Sequence, residues 1–596
     1  MSIEPTPSTP DGAATAATPR PPAPKRLFGG YGPLLGFTAM VVGLSLFVPT
    51  VRQEVLTKQA ANVADSTTGP QGGSSGDATG TDVTGTTAAP SDTVAGDAGT
   101  TPGSTAPRAT GSGTTAKAPS KGTTKSGAAG GAIPKASVTG VSACTDRTFQ
   151  DPNDPYSPPC YAFNGDNGGA TSPGVTKDTI TIAVRSQTFS TGFSDALSVM
   201  AGAKFPKESQ DVIDRTMNTL TDYFNSHYQF YGRKLKLVIY PGKGDLTQEI
   251  VSQGQEAAEA DALKVQSEIK AFADVGAVTP PYADALTHRK IINIGAPYVS
   301  QDWLTSRSPY SWSVQTDCTR VVKSVAAYFL NKMANKPAIY AGGPLANQPR
   351  KIAVIAPDNS WYQECVNAGL DTLAKAGIPR DQVMVEAYRL DLNDMTPQAQ
   401  TKLQKLLANN ITTVICGCDP IFMVALGRKA KDQNYHPEWL ETGVALTDSD
   451  LVGELIDQDV WNHAFGVSFL GPSENIQASF AYRAFKQMRP ADEPSQAVQL
   501  MFPQLELAAI GIQMAGPNLT PDSFKLGLFN YPQRSGPLGT WKFDATSYTP
   551  SQDAREIWYD RNAISKQTKT KGAWIESNPG QRFPIGQFPG GDPKVG

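Results

Sequence analysis

From residue 179 onward the chain alternates between two hydrophobic periods. Thr179-Ile-Thr-Ile-Ala-Val-Arg185 repeats every second residue and predicts a strand. Ile213, Met217, Leu220 and Phe224 then recur at spacings of four, three and four, which puts them on one face of a helix ending near Tyr228. Gly232 stops that helix, and Leu235, Leu237, Val238 and Ile239 supply the next short strand. The series continues with a long helix over 246–272, a strand over 273–278, a short helix over 282–289 and a strand over 291–294. A second series starts near Asp317: helix 317–335, strand 351–356, helix 360–377, strand 383–388, helix 397–409, strand 412–416, helix 421–432, and strands 439–445 and 464–469. Helices over 475–488 and 496–515 and a short one after Pro521 follow, then strand-like pieces at 540–543 and 556–559 and a Gly/Pro-rich tail. Alternating strands and helices call for parallel sheets covered on both faces. Two such series, with late helices and a return strand, fit two α/β lobes joined by hinge crossovers; one enlarged doubly wound domain is the alternative.

Composition changes the picture before residue 141. Residues 64–140 hold no aromatic and no leucine, and are mostly Gly, Thr, Ala, Ser and Pro. Such a stretch cannot bury enough apolar surface to offset its ordering entropy, so 52–140 is expected to be a disordered tether. Before it, residues 27–51 carry no charge and include Phe37, Met40, Val41, Val42, Leu44 and Leu46. At about 1.5 Å per residue the stretch spans roughly 37 Å, enough for a bilayer core with some tilt. An uncleaved transmembrane signal-anchor, Leu27 to Val51, after a cytoplasmic tail over 1–26 is the expectation; a cleaved signal peptide is the alternative. All six cysteines follow the tether, which suits an oxidising, extracytoplasmic compartment. A net charge of −3 without a basic run gives no hint of nucleic acid.

Four blocks stand in a telling order. They are Tyr223-Phe-Asn225 with Gly232-Arg-Lys-Leu-Lys-Leu-Val238; Ile292-Asn-Ile-Gly-Ala-Pro-Tyr298; Lys351-Ile-Ala-Val-Ile-Ala-Pro-Asp-Asn-Ser-Trp-Tyr362 with Gly369-Leu-Asp-Thr-Leu373; and Gln513-Met-Ala-Gly-Pro-Asn-Leu-Thr-Pro-Asp522. Together they resemble the ABC-transporter solute-binding proteins of the leucine/isoleucine/valine-binding type, over roughly residues 179–559. The resemblance implies a type I periplasmic-binding-protein fold, with lobe 1 over 141–316 (and part of 470–535) and lobe 2 over 317–469 (and part of 536–596). It also implies capture of a small polar molecule (an amino acid, an amide or a related small organic acid) and its delivery to an ABC-type membrane permease. A ligand sensor or surface interaction module without a transporter is the other reading of the same fold.

Catalytic patterns are missing from the sequence: there is no G-x-S-x-G elbow, H-E-x-x-H pair or P-loop, and His227, His288, His436 and His463 are scattered. No enzyme, metal or cofactor is therefore expected. In an open α/β sheet the carboxyl ends of strands and the starts of the following helices share one edge. That edge brings Cys318 and Cys365 near Cys416 and Cys418, as two disulfides, as free buried thiols or as a zinc site. A bond inside Cys416-Gly-Cys418 is expected to be strained, so each is expected to pair outward. Cys144 and Cys160 flank a Pro/Asp-rich loop and are expected to bond to each other. The same edge nominates Ser186, Gln187, Thr279, Tyr282 and the Gly295–Tyr298 turn in lobe 1, with Trp361, Tyr362, Asp419 and Asp448 in lobe 2, as ligand contacts. By the resemblance, Thr279 and Ala296 to Tyr298 match positions that hold a ligand carboxylate, and Trp361 or Tyr362 matches a cleft aromatic. Asp448 is the nearest candidate for an ammonium partner. Interlobe packing is the plainer reading of Trp361 and Tyr362.

Overall fold

Along Thr179–Arg185 the first residues alternate between partly exposed and buried and the last four are all buried, and the strand sits inside a sheet with partners on both sides. The computed structural model describes residues 139–189 and 208–595. The expected tail over 1–26, the expected membrane segment over 27–51, the expected tether up to residue 138 and the side chain of Gln187 lie outside the described residues. Among the described residues no helix is long and apolar enough to cross a membrane.

A hairpin-like pair, β1 (Val141–Ala143) and β2 (Tyr161–Phe163), opens the described part. Lobe 1 is a five-stranded parallel sheet of β3 (Thr179–Arg185), β4 (Lys234–Tyr240), β5 (Ala273–Asp274), β6 (Ile292–Ile294) and β7 (Ser311–Trp312), in the order β4-β3-β5-β6-β7. Its helices are α1 (Gln210–His227), α2 (Leu246–Ile250), α3 (Gln255–Lys264), α4 (Pro280–His288) and α5 (Gln301–Ser306). The apolar face read on α1 is buried, with Leu220 and Phe224 fully enclosed. The helix expected over 246–272 is broken instead. Asp245 caps α2 by accepting from Thr247 N and Gln248 N, and Ser252 and Gly254 then take positive φ before α3 begins.

Lobe 2 begins with α6 (Cys318–Lys332) and holds β8 (Ile352–Pro357), α7 (Ser360–Lys375), β9 (Val383–Tyr388), α8 (Met395–Ala408), β10 (Thr413–Cys416), α9 (Pro420–Asp432), β11 (Glu438–Glu441) and β12 (Ala464–Ser468). The chain then returns to the lobe 1 core with α10 (Phe480–Met488), α11 (Val498–Ala515) and α12 (Pro521–Phe529), and with the small pair β13 (Arg534–Gly536) and β14 (Gly539–Trp541). It crosses once more to finish the lobe 2 sheet with β15 (Asp553–Ile564) and β16 (Lys571–Glu576), both antiparallel, while β17 (Phe583–Pro584) pairs with β15. The lobe 2 order is β16-β15-β12-β11-β10-β8-β9. The return strand is thus far longer than the 556–559 piece read in the sequence, and β16 lies in the segment read as tail. Lobe 2 has a separate core on each face of its sheet: α8 and α9 cover one, while α6, α7 and the tail residues Phe583 and Phe588 cover the other.

Three disulfides join Cys144 to Cys160, Cys318 to Cys365 and Cys416 to Cys418. The expected outward pairing of Cys416 and Cys418 is corrected. The chain turns as it leaves β10 at Gly417 and leaves their Cα atoms 5.0 Å apart, within ordinary disulfide reach.

Candidate functional site

Strands of both sheets end toward a shared cleft, and the loops after them enclose a cavity of about 860 Å³. Lobe 1 contributes Val278, Gly295, Pro297 and Tyr298 from its strand ends, with Leu500 and Gln504 from α11. Lobe 2 contributes Trp361, Tyr362, Gly417, Cys418, Thr442 and Ala445. Gly295 has a positive φ, and a Cβ there would lie 2.7 Å from the carbonyl carbon of Ala277, so this turn requires glycine. Two sets of hydrogen bonds tie the lobes together beside the cavity. Asn359 Nδ2 donates to Ile250 O at 2.8 Å and to Ser252 Oγ at 3.0 Å, and Ser300 Oγ donates to Glu364 Oε1 at 2.9 Å. Trp361 also packs on the lobe 1 core and meets Tyr362 edge-on at 6.0 Å.

Of the residues nominated from sequence, Gly295, Tyr298, Trp361, Tyr362 and Asp419 line the cavity. Gln187 aside, whose side chain lies outside the described residues, the others do not. Thr279 is fully buried, and its hydroxyl donates to Glu249, which also takes two hydrogen bonds from Arg185 at 2.7 and 2.9 Å. Tyr282 lies under the same guanidinium, 3.6 Å from its ring, and gives its hydroxyl to Asp274 Oδ2 at 2.8 Å. Arg185 ends β3 without solvent access, and an enclosed guanidinium needs carboxylates around it. Thr279 and Tyr282 therefore serve that cluster rather than the cleft. Ala296 is buried beneath its turn, and Ser186 is not part of the lining. Asp448 is buried beside Glu441, and burial followed by the Asp448 charge raises the Glu441 pKa to about 8. Asp419 reaches the cavity wall with its carboxylate already engaged. It caps α9 by accepting from Ile421 N and Phe422 N, and it also accepts from Tyr388 Oη at 2.7 Å.

Sequence reasoning missed the deeper part of the cavity. It continues past the cleft into lobe 2, bounded by Val321, Val325, Ala326 and Phe329 on α6, Gly369, Leu370 and Leu373 on α7, and Val354 and Ile415 on the sheet. The apolar stripe of α6 is plain in the sequence, but a stripe says which face is buried and nothing of how tightly it is filled. No Lys, Arg or His stands among the described lining residues.

A sequence profile of the periplasmic binding protein family matches residues 214–557. The chain belongs to that family. Solved structures similar to this binding protein include a fatty acid ABC transporter substrate-binding protein from Thermomonospora curvata, at 14% identity and a TM-score of 0.49, covering 71% of this chain and 100% of that one. Another is a solute binding protein of an ABC transporter from Rhodopseudomonas palustris HaA2 in complex with p-hydroxybenzoic acid, at 13% identity and 0.48, covering 68% and 98%. A leucine binding protein from Thermotoga maritima MSB8 matches at 12% identity and 0.46, covering 67% and 97%. No curated protein matches this binding protein.

Proposed function

We propose that this chain is an extracytoplasmic solute-binding protein, held at the cell membrane through residues 27–51 and the tether, that closes two lobes on a small molecule and passes it to an ABC-type permease. The carrying observation is the cavity bounded by the strand ends of both lobes, with Asn359 and Ser300 bonding across its rim. Contacts from both lobes on one ligand favour the closed form, because only that form offers all of them. The family carries no catalytic role, and the site residues suit binding alone. The apolar lining and the commitment of Asp419 and Thr279 elsewhere weigh against an amino-acid ligand gripped by charge, and favour a solute with a substantial apolar body. Small-angle scattering of the protein with and without candidate solutes tests the reading. Ligand is expected to compact the protein, and no compaction with any class of solute would overturn it. Fractionation tests the tether: the intact protein should sediment with membranes, and a mature N-terminus between residues 48 and 64 would contradict the anchor.

A further inference from the structure

We infer that the solute carries a linear aliphatic chain, and that the chain runs from the cleft into lobe 2 between α6, α7 and the sheet. This rests on the solute-binding reading and names the ligand class it takes. Protein interiors rarely leave voids larger than a water molecule, so a cavity entering a core is a built feature. The residues around it form two continuous stripes. On α6 the lining recurs at Cys318, Val321, Val322, Val325, Ala326 and Phe329, and on α7 at Cys365, Val366, Gly369, Leu370 and Leu373. These are successive turns of one helix face. Both helices begin at the cleft, where the Cys318–Cys365 disulfide fixes their separation. From Cys318 to Phe329 the α6 stripe runs about 16 Å at 1.5 Å per residue, which accommodates an extended chain of about twelve carbons with C–C bonds of about 1.5 Å.

Chemistry along this path sorts by depth. Beyond the disulfide the walls are apolar, and small residues, Ala326 and Gly369, stand where larger ones would close the space. A small polar solute makes no use of such walls, and leucine or isoleucine is too short to reach them. Polar groups gather at the cleft end. Gln504, 5% exposed, lines the cavity with an Oε1 that has no hydrogen-bond partner, and the Trp361 Nε1 donor is likewise buried and unpartnered. One acceptor and one donor suit a head group such as a hydroxyl or a carboxyl. Without a cation among the described lining residues, the chain rather than a charge supplies most of the affinity.

The test is isothermal titration of the full chain, kept in a fluorinated surfactant, with straight-chain acids and 1-alkanols of four to fourteen carbons, and with leucine. Affinity is expected to rise about four-fold per methylene up to about twelve carbons and then level off, since each buried CH₂ brings a constant gain. The acid and alcohol arms identify the head group, and parallel slopes in both place the affinity in the chain. Val321→Phe, near the mouth, should end the rise at shorter chains than Ala326→Phe, which sits deeper. Far-UV circular dichroism checks that both variants fold, and the chain-length limit of each is read against that of the wild type. Affinity independent of chain length in the wild type, or rising without a limit that the two variants move, would overturn the inference. Should leucine or a short acid bind and compact the protein while chain length has no effect, only the aliphatic channel fails. Should nothing bind or compact it, the solute-binding reading fails as well.

Discussion

The two faces of the lobe 2 sheet use the same kinds of residue and fill space differently. On the α8/α9 face Leu403, Leu406, Val414, Phe422 and Leu426 are all 0% exposed. On the α6/α7 face the cavity-lining Val325, Leu370, Leu373 and Ile415 each keep 5–8% of their surface open, while Tyr328, Phe465 and Val467 of the same core are closed in. Both faces show apolar stripes at helical spacing, so hydrophobic pattern alone does not distinguish a filled core from a hollow one. One face is packed for stability. The other gives up contacts to make room, and its residues should be worth correspondingly less to folding.

Truncation should show the largest contrast. Leu403→Ala removes a side chain closed in on all sides and is expected to cost about 2–5 kcal/mol, transfer and cavity terms together. Leu373→Ala enlarges a space already present, so only part of the transfer term is lost, and about 1 kcal/mol is expected. Denaturant unfolding of both variants checks this, and equal losses would mean that the α6/α7 face is as filled as the other.

A titration at the cavity's rim should come next. Glu441 ends β11, one residue before the lining residue Thr442, and its Oε1 accepts from Thr442 N, Gly443 N and the Thr447 hydroxyl. Burial, and then the Asp448 charge, raise its pKa from 4.5 to about 8. Because the folded state holds this proton more tightly than the unfolded chain, its contribution is full below about pH 4.5 and is lost as pH rises through about 8. Glu441→Gln keeps an acceptor and carries no charge. It should match the wild type near pH 5 and exceed it in stability by on the order of 2–4 kcal/mol near pH 8. Melting curves across that range, parallel for both proteins, would reject an ionisation here.

Much of the fold was legible in the sequence, and less of the site. The period-two run at Thr179–Arg185 and the α1 face gave true elements because burial on one side leaves a periodic mark. The hairpin of β15 and β16 left little mark, since Lys571–Glu576 is short, begins with Lys-Gly and gains its place by pairing with a strand far longer than its own apolar run. The turn at Gly295–Tyr298 and the aromatic pair Trp361 and Tyr362 were placed at the cleft because the strand-end rule depends only on topology. Thr279 and Tyr282 lie off the cleft because the rule does not see competing partners, and Asp448 because it does not see depth of burial. Arg185 draws Glu249, Thr279 and Tyr282 inward, and only the packed structure reveals that demand. The pairing of Cys416 with Cys418 likewise depends on a turn at Gly417 that no spacing encodes.

Adding volume should give the smallest effects and separates the two faces by sign. Ala425 lies on α9 within the filled core, 3% exposed, and Ala326 lines the cavity from α6. Ala425→Leu must push its neighbours aside and is expected to cost about 1–3 kcal/mol. Ala326→Leu extends into open volume beside Phe329 and gains contact without displacing backbone, so its stability should stay within about 0.5 kcal/mol of the wild type or rise above it. Helix propensity favours neither, because Ala and Leu both rank high. Unfolding free energies of the two variants decide the matter, and they do so without reference to any ligand. A loss at Ala326→Leu as large as that at Ala425→Leu would mean that the α6/α7 face tolerates no added volume, and the hollow it outlines would not be a space that a chain enters.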